Sequence, residues 1–273
     1  MAIPRVKLLF AVFCLLTAAA ASAGPACTLL ADAADGTVLY RDGPCDHRIS
    51  PVSTFKVALA LAGYESGILI DAAEPHWPYR DEYKAWDPDW KKKTTDPTSW
   101  MKDSVVWYSR VLSQKLGRRK LQGFVDAFGY GNRNLSGAVK FKEPLPEAVW
   151  VESTLRISPV EQIEFLRKLV NRQFPLQPST YDKTEAVIPV YPGPDGWTVH
   201  GKTGTGDQDL TDHLQFGWFV GWAEKGQRRL VFATLIKDDV KRDEAAGLRA
   251  RDQLIESLPA LLVRTSPKPK TSR

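Results

Sequence analysis

The stretch SPVSTFKVALALAGYESG, residues 50–67, places Lys56 three positions after Ser53 in an otherwise apolar run. A serine hydroxyl attacks a carbonyl poorly until a neighbouring base removes its proton. On a helix, a residue three positions further on shares the same face and comes within reach of that hydroxyl. An amine can be the base if it is kept neutral, and Val52, Phe55, Val57, Leu59 and Ala60 supply the apolar surroundings that would do so. Ser50-Pro51 reads as a helix start, which sets Ser53 in a first turn where N–H groups lack intrahelical partners and the dipole is positive. The spacing alone also fits a lysine that snorkels to solvent. The chain in fact repeats it at Ser99-Trp100-Met101-Lys102.

Three companions shift the balance towards Ser53. Ser104-Val105-Val106 opens a helical period, and Tyr130-Gly131-Asn132 forms a glycine-flanked turn. Lys202-Thr203-Gly204 lies on a strand whose glycines permit close backbone approach. Each motif is common alone; SxxK, S-x-V, Y-G-N and K-T-G in this order are a strong joint signal. The four histidines are scattered, none in HExxH spacing, and no CxxC occurs, so no metal is expected. Glu152, Glu161 and Glu164 read as capping or solvated residues.

The elements that must hold these motifs differ along the chain. Helical periods run through SVVWYSRVLSQKLG, RKLQGFVDAFGYG and SPVEQIEFLRKLVN, the last opening with an N-cap Ser158, Pro159 at the first helical position and a capping-box Glu161. After Tyr191, GWTVHGKTG, LQFGWFVGWAE and RRLVFATLIKDD read as strands. A closing helix over about 244–263 carries Leu248, Leu254, Ile255, Leu258 and Leu262 on one stripe. The expected fold is α+β: an antiparallel sheet built from N- and C-terminal strands, helices on its faces and a mostly helical inserted subdomain.

At 273 residues, 43% hydrophobic and 25% charged, the chain suits one catalytic domain. Residues 1–23 read as a secretory signal peptide, with Arg5 and Lys7 ahead of an apolar run and Ala21-Ser22-Ala23 as the cleavage site. The domain then spans 24–263, with a basic tail over 264–273. Export implies a periplasmic or secreted protein, off the membrane once the signal is cleaved. Loss of those two cations lowers the net charge from +5 to +3, and no aromatic-interleaved basic face accompanies it, so nucleic acid is not an expected partner. Cys27 and Cys45 flank a hairpin centred on Asp35-Gly36, and in an oxidising compartment they are expected to pair. Closing such a loop is worth about 3 kcal/mol.

Together, STFK, YGN, WVESTLRISPVEQ and GWFVGW resemble the class D β-lactamases, oxacillinases among the penicillin-recognising serine enzymes. The S-D-N element of the class A enzymes is absent, with Ser104-Val105-Val106 in its place. The resemblance implies that Ser53 is acylated by a small-molecule β-lactam, leading to antibiotic resistance. It also implies that Lys56 carries a CO2-derived carbamate (N6-carboxylysine) as general base, so bicarbonate is needed but no other cofactor. Trp150 and Val106 would stabilise the carbamate, Ser104 and Lys202 would deliver a proton to the leaving nitrogen, and the N–H groups of Ser53 and Thr205 would form the oxyanion hole. Tyr130, Asn132, Thr203, Gly204 and Arg249 would line the substrate site, with Arg251 the competitor of Arg249 for the substrate carboxylate. Ser153 stands where the family commonly has glycine, a departure that bears on substrate range. A penicillin-binding sensor, or a D,D-peptidase that acylates without efficient turnover, is the alternative. Monomer and homodimer both remain open.

Overall fold

A computed structural model describes residues 25–83, 85, 87–91, 94–136, 154–208 and 214–265. The expected signal peptide, Trp150, Glu152, Ser153 and nearly all of the basic tail lie outside them. The first strands, β1 (Pro25–Asp32) and β2 (Val38–Asp42), pair antiparallel around the Asp35-Gly36 turn. Gly36 takes a left-handed φ of 79°, which glycine adopts without steric cost. Cys45 follows β2 and is disulfide-bonded to Cys27, as the hairpin reading required.

A 3-10 turn over Val52–Phe55 leads into α1 (Lys56–Glu65). Ser53 therefore sits in a tight turn ahead of the α-helix rather than in its first turn. Nine of the ten residues of α1 are buried, which is why its sequence is apolar all round. A short ribbon of β3 (Trp77–Pro78) and β4 (Thr94–Thr95) precedes α2 (Pro97–Lys102) and α3 (Val106–Leu116), and α4 (Arg118–Phe128) follows. Then come α5 (Pro159–Val170) and α6 (Pro178–Val187). The box at the start of α5 forms as read. Ser158 Oγ accepts from the Glu161 N–H, and the Glu161 carboxylate accepts from the Ser158 N–H. Helices α2 and α6 had no period strong enough to be read from the sequence.

The chain closes with β5 (Val190–Pro192), β6 (Thr198–Asp207), β7 (Gln215–Lys225), β8 (Arg228–Lys237) and α7 (Ala246–Thr265). The main sheet runs β2-β1-β8-β7-β6-β5, with every pair antiparallel. The first and last thirds of the chain thus meet at the β1–β8 pair, and the helical middle is inserted between them, as the α+β reading has it. Helix α7 covers one face through Ala246, Ala250, Leu254 and Leu258. Leu248, read as part of that stripe, points outward instead. The other face packs against α1 and the inserted helices, with Trp218, Trp222, Phe55 and Trp107 in one continuous core.

Candidate active site

Ser53 lies where the 3-10 turn meets β6. Trp218 Nε1 of β7 donates to Ser50 O at 3.0 Å, and Gln162 Nε2 of α5 donates to Thr54 Oγ1 at 3.0 Å. Between these anchors Val52 is forced to a φ of 41°, a left-handed conformation that a β-branched residue strongly disfavours. The room for it comes from β6. A Cβ on Gly204 would stand 2.7 Å from Val52 Cγ2, and one on Gly206 would stand 2.9 Å from Val52 Cγ1. The glycines of the K-T-G-T-G run let the turn press against the strand and hold the serine to it.

Lys56 Nζ donates to Ser53 Oγ at 3.0 Å. The lysine side chain has no exposed surface. Burial pulls its pKa well below that of an ordinary lysine, and the positive charge of Lys202 lowers it further. With the amine neutral, the same contact runs the other way, and the serine hydroxyl donates to the amine lone pair. Lys202, 1% exposed, donates to Ser104 Oγ at 3.1 Å and to Thr203 O at 2.8 Å. Burial brings it down to about 7. Ser104 itself has a φ of 57° in the turn between α2 and α3, which aims its hydroxyl at β6. Val106, the first residue of α3, is buried beside it.

The geometry of β6 decides what its edge offers. Strand β5 covers Thr198–His200, and Pro189 O accepts from the Gly201 N–H at 3.0 Å. Backbone groups alternate along a strand, so Thr203 and Thr205, like Gly201, turn their N–H and C=O groups away from β7. Past Gly201 that outer edge has no strand beside it among the described residues. Lys202 and Gly204 point towards the turn that carries Ser53, whereas Thr205 points to the opposite face, where its Oγ1 accepts from Gly247 N of α7 at 2.9 Å. The Thr205 N–H is thus available to a carbonyl oxygen placed between β6 and Ser53.

Two residues expected at the substrate have side chains engaged within the protein. Tyr130 is fully buried, its ring edge-on to Phe55 at 5.2 Å and to Phe165 at 5.0 Å, and its hydroxyl accepts from Gln162 Nε2 at 3.4 Å. It offers no surface to a ligand; it braces the serine turn from behind. Asn132 uses both ends of its amide on the backbone, donating to Thr154 O at 2.7 Å and accepting from the N–H groups of Asn134 and Arg156. Gly131, with φ 53°, is required there because a Cβ would fall 2.1 Å from Arg156 O. Arg249 Nη2 donates to Asp238 Oδ2 at 2.8 Å and its Nε to Glu244 O at 3.1 Å. Arg251 is turned away, bonded to Asp252 and lying over the Tyr191 ring. Sequence reading named Val52 only as an apolar neighbour and missed its left-handed backbone, and it did not find Gln162 or Asp238, since nothing local marks them.

No cluster of three His, Cys, Asp or Glu side chains able to hold a metal occurs among the described residues. Nor is any helix among them long and apolar enough to cross a membrane.

A half-buried serine bonded to a fully buried lysine, beside the edge of a sheet, is an arrangement able to carry out serine acyl transfer. A family model described as the penicillin binding protein transpeptidase domain matches residues 26–259. The β-lactamase OXA-9 of Klebsiella pneumoniae is 40% identical over 241 residues, covering 86% of this chain and 88% of its own. The solved structure of OXA-427, a class D β-lactamase, is 40% identical with a TM-score of 0.79, covering 88% of this chain and 99% of that one. The regulatory protein BlaR1 of Bacillus licheniformis is 30% identical over 217 residues, covering 78% of this chain and 33% of its own. The chain belongs to the penicillin-binding transpeptidase family and, within it, to the class D β-lactamases.

Proposed function

We propose that this enzyme opens the β-lactam ring of penicillin-type antibiotics through an acyl-enzyme on Ser53, and so confers resistance to them. The observation that carries the reading is the 3.0 Å contact between Ser53 Oγ and the amine of a lysine with no exposed surface. Such an amine is basic enough to accept the serine proton yet neutral enough to have a lone pair free.

The lactam carbonyl carbon is attacked by Ser53 Oγ while the proton passes to the base at position 56. Developing charge on the carbonyl oxygen is met by the N–H groups of Ser53 and Thr205, each worth on the order of 3 kcal/mol. The C–N bond then breaks, and the nitrogen takes a proton from Ser104, replenished from Lys202 at 3.1 Å. The proton held at position 56 passes back to Lys202 and frees the base. Water then attacks the ester carbonyl, the base takes its proton, and that proton goes to Ser53 Oγ as the ester C–O bond breaks. Buried and neutral, Lys56 has the free lone pair that CO2 requires, and the carbamate would supply an anionic general base in place of the amine. Trp150 and Val106 are assigned to hold that base and keep it dry, Trp150 by resemblance alone. Thr203, Gly204 and Arg249 are assigned to seat the substrate, Arg249 rather than Arg251 because Arg251 is committed to Asp252 and Tyr191. Residues 1–23 are assigned as an export signal, with a periplasmic mature enzyme.

Similarity to BlaR1 keeps a sensor that acylates once as the second reading. Turnover of a chromogenic cephalosporin, with and without bicarbonate and beside Lys56→Ala, separates the two. Steady turnover raised by bicarbonate and lost in the variant supports hydrolysis. A stoichiometric burst without a steady state selects the sensor.

A further inference from the structure

Asp238 follows the last residue of β8 and is the buried acid closest to the start of α7. Its side chain is 1% exposed. One oxygen, Oδ2, accepts from Arg249 Nη2 at 2.8 Å, while Oδ1 makes no hydrogen bond and faces Arg242 Nε at 3.8 Å. The backbone of Asp238 is fixed as well, its N–H donating to Gln215 O at 2.8 Å and its C=O accepting from Gln208 Nε2 at 2.6 Å. Gln215 lies opposite Asp207, so Asp238, Gln215 and Asp207 form one row at the end of the sheet where β6 carries Thr205.

The first turn of α7 is tied to these strands. Ala246 N donates to Gln215 Oε1 at 3.1 Å, and Gly247 N donates to Thr205 Oγ1 at 2.9 Å. Arg249 therefore starts two residues from a contact with the oxyanion-hole strand. Its Nε and Nη2 are both engaged, to Glu244 O and Asp238, and among the described residues Nη1 has no partner. Its side chain is 14% exposed. A long, rotamer-rich cation is thereby reduced to one orientation with one nitrogen left for a ligand. A buried carboxylate is costly even when paired, and here Arg249 is hydrogen-bonded to one oxygen while Arg242 stands 3.8 Å from the other without a hydrogen bond to it, so the acid's strongest partner is the arginine at the start of α7.

We propose that Asp238 is a positioning residue for substrate selection: the buried Asp238–Arg249 pair aims Arg249 Nη1 so that the site takes β-lactams by the carboxylate on the fused ring and discriminates against neutral ones. The inference rests on the reading of Arg249 as the carboxylate-binding residue and names what makes that arginine selective. Because the pair is neutral overall, the substrate meets an aimed donor rather than a free positive charge. Discrimination then comes from geometry, and it varies little with salt.

The test compares kcat and KM for benzylpenicillin and for its methyl ester, in wild type, Asp238→Asn, Asp238→Glu and Arg249→Ala. Asp238→Asn raises KM for the acid by about tenfold or more, leaves kcat within about threefold, and leaves the ester unchanged. Its acid-over-ester preference falls to that of Arg249→Ala, its KM for the acid becomes salt-dependent, and Asp238→Glu recovers part of the preference. An unchanged preference in Asp238→Asn, or an equal loss with acid and ester, overturns the proposal. If Arg249→Ala keeps the preference while both substrates still turn over, the assignment of Arg249 fails, and Asp238 with it, while the Ser53 chemistry stands. Should Asp238→Asn not fold, Arg249→Lys keeps the charge opposite Asp238 without the second donor, and an undiminished acid preference there sinks the idea.

Discussion

Ser53-Thr54-Phe55-Lys56 and Ser99-Trp100-Met101-Lys102 share one spacing and have opposite fates. In the first, the lysine is sealed in the core and its amine rests on the serine oxygen. In the second, Ser99 is the third residue of α2. Its hydroxyl donates to the Asp96 carboxylate at 2.8 Å and accepts from the Asp96 N–H at 3.0 Å. Lys102 points into solvent. Asp96 sits three residues ahead of Ser99 and completes a capping box, so that hydroxyl is spent on a helix end. The residue three ahead of Ser53 is another serine, and the segment between is held by Trp218, Gln162 and the β6 glycines. Spacing sets reach in both; the packing around the lysine decides whether it is a base.

The comparison can be broken most sharply at the serines. Ser53→Ala is expected to lower turnover of a chromogenic cephalosporin by 10³-fold or more, about the effect of deleting a nucleophile. Ser99→Ala should keep kcat/KM within about twofold and cost about 1 kcal/mol in urea unfolding, the usual size of a lost cap. A large activity loss in Ser99→Ala would refute the contrast. The lysines come next. Lys56→Met should leave an acyl-enzyme that mass spectrometry detects after minutes, whereas Lys102→Met should clear it like wild type.

A smaller effect is expected at the strand that presses on the serine turn. Gly204→Ala puts a Cβ 2.7 Å from Val52 Cγ2 and 3.3 Å from Pro51 O, so the turn must shift. Misplacement of this kind costs about 10²-fold in kcat/KM. Wild-type activity in that variant would show that the close approach is dispensable.

The mildest effect is on pH dependence. If Lys56 is carboxylated as proposed, protons and CO2 compete for the same lone pair, so the acid limb of the rate profile should move to lower pH when bicarbonate is added. For Lys202, burial lowers the folded pKa to about 7 from the ordinary lysine value of 10.5. Between those values the unfolded chain binds the extra proton, so stability from this group rises with pH. Wild type should therefore gain on Lys202→Met in melting temperature from pH 7 to pH 10. A constant difference across that range would mean that Lys202 titrates normally.

Much of this is legible in the sequence. The four motifs, the Ser158–Glu161 box, the disulfide hairpin and the late strands all rest on local chemistry and are legible, although Ser53 stands in a 3-10 turn ahead of α1 rather than in its first turn. Tyr130 and Asn132 were not legible as they are. A turn residue's side chain goes where a distant segment makes room for it. For Tyr130 that segment is Gln162 with Phe165, and for Asn132 it is the backbone at 154–156. Val52 was hidden because its residue type argues against the backbone it adopts, and tertiary packing overrules that preference. Asp238 is one of two adjacent aspartates, and the strand register is what tells them apart: Asp238 is buried, whereas Asp239 is exposed. The helix stripe of α7 misplaced Leu248 because a helix pressed on a sheet through glycine and alanine buries small residues where a hydropathy pattern expects large ones.

Strand β5 is three residues long, begins directly after Pro189 and ends on Pro192. Proline lacks the N–H that continued pairing requires, so the zipper between β5 and β6 halts at Gly201 and cannot creep upward. Lengthening it by a few residues would roof over Thr203 and Thr205 with the protein's own main chain. Among the described residues the edge of β6 is therefore left open by an interrupted sheet, and on the proposed function a substrate amide lying along β6 would take the berth that a longer neighbour would have filled.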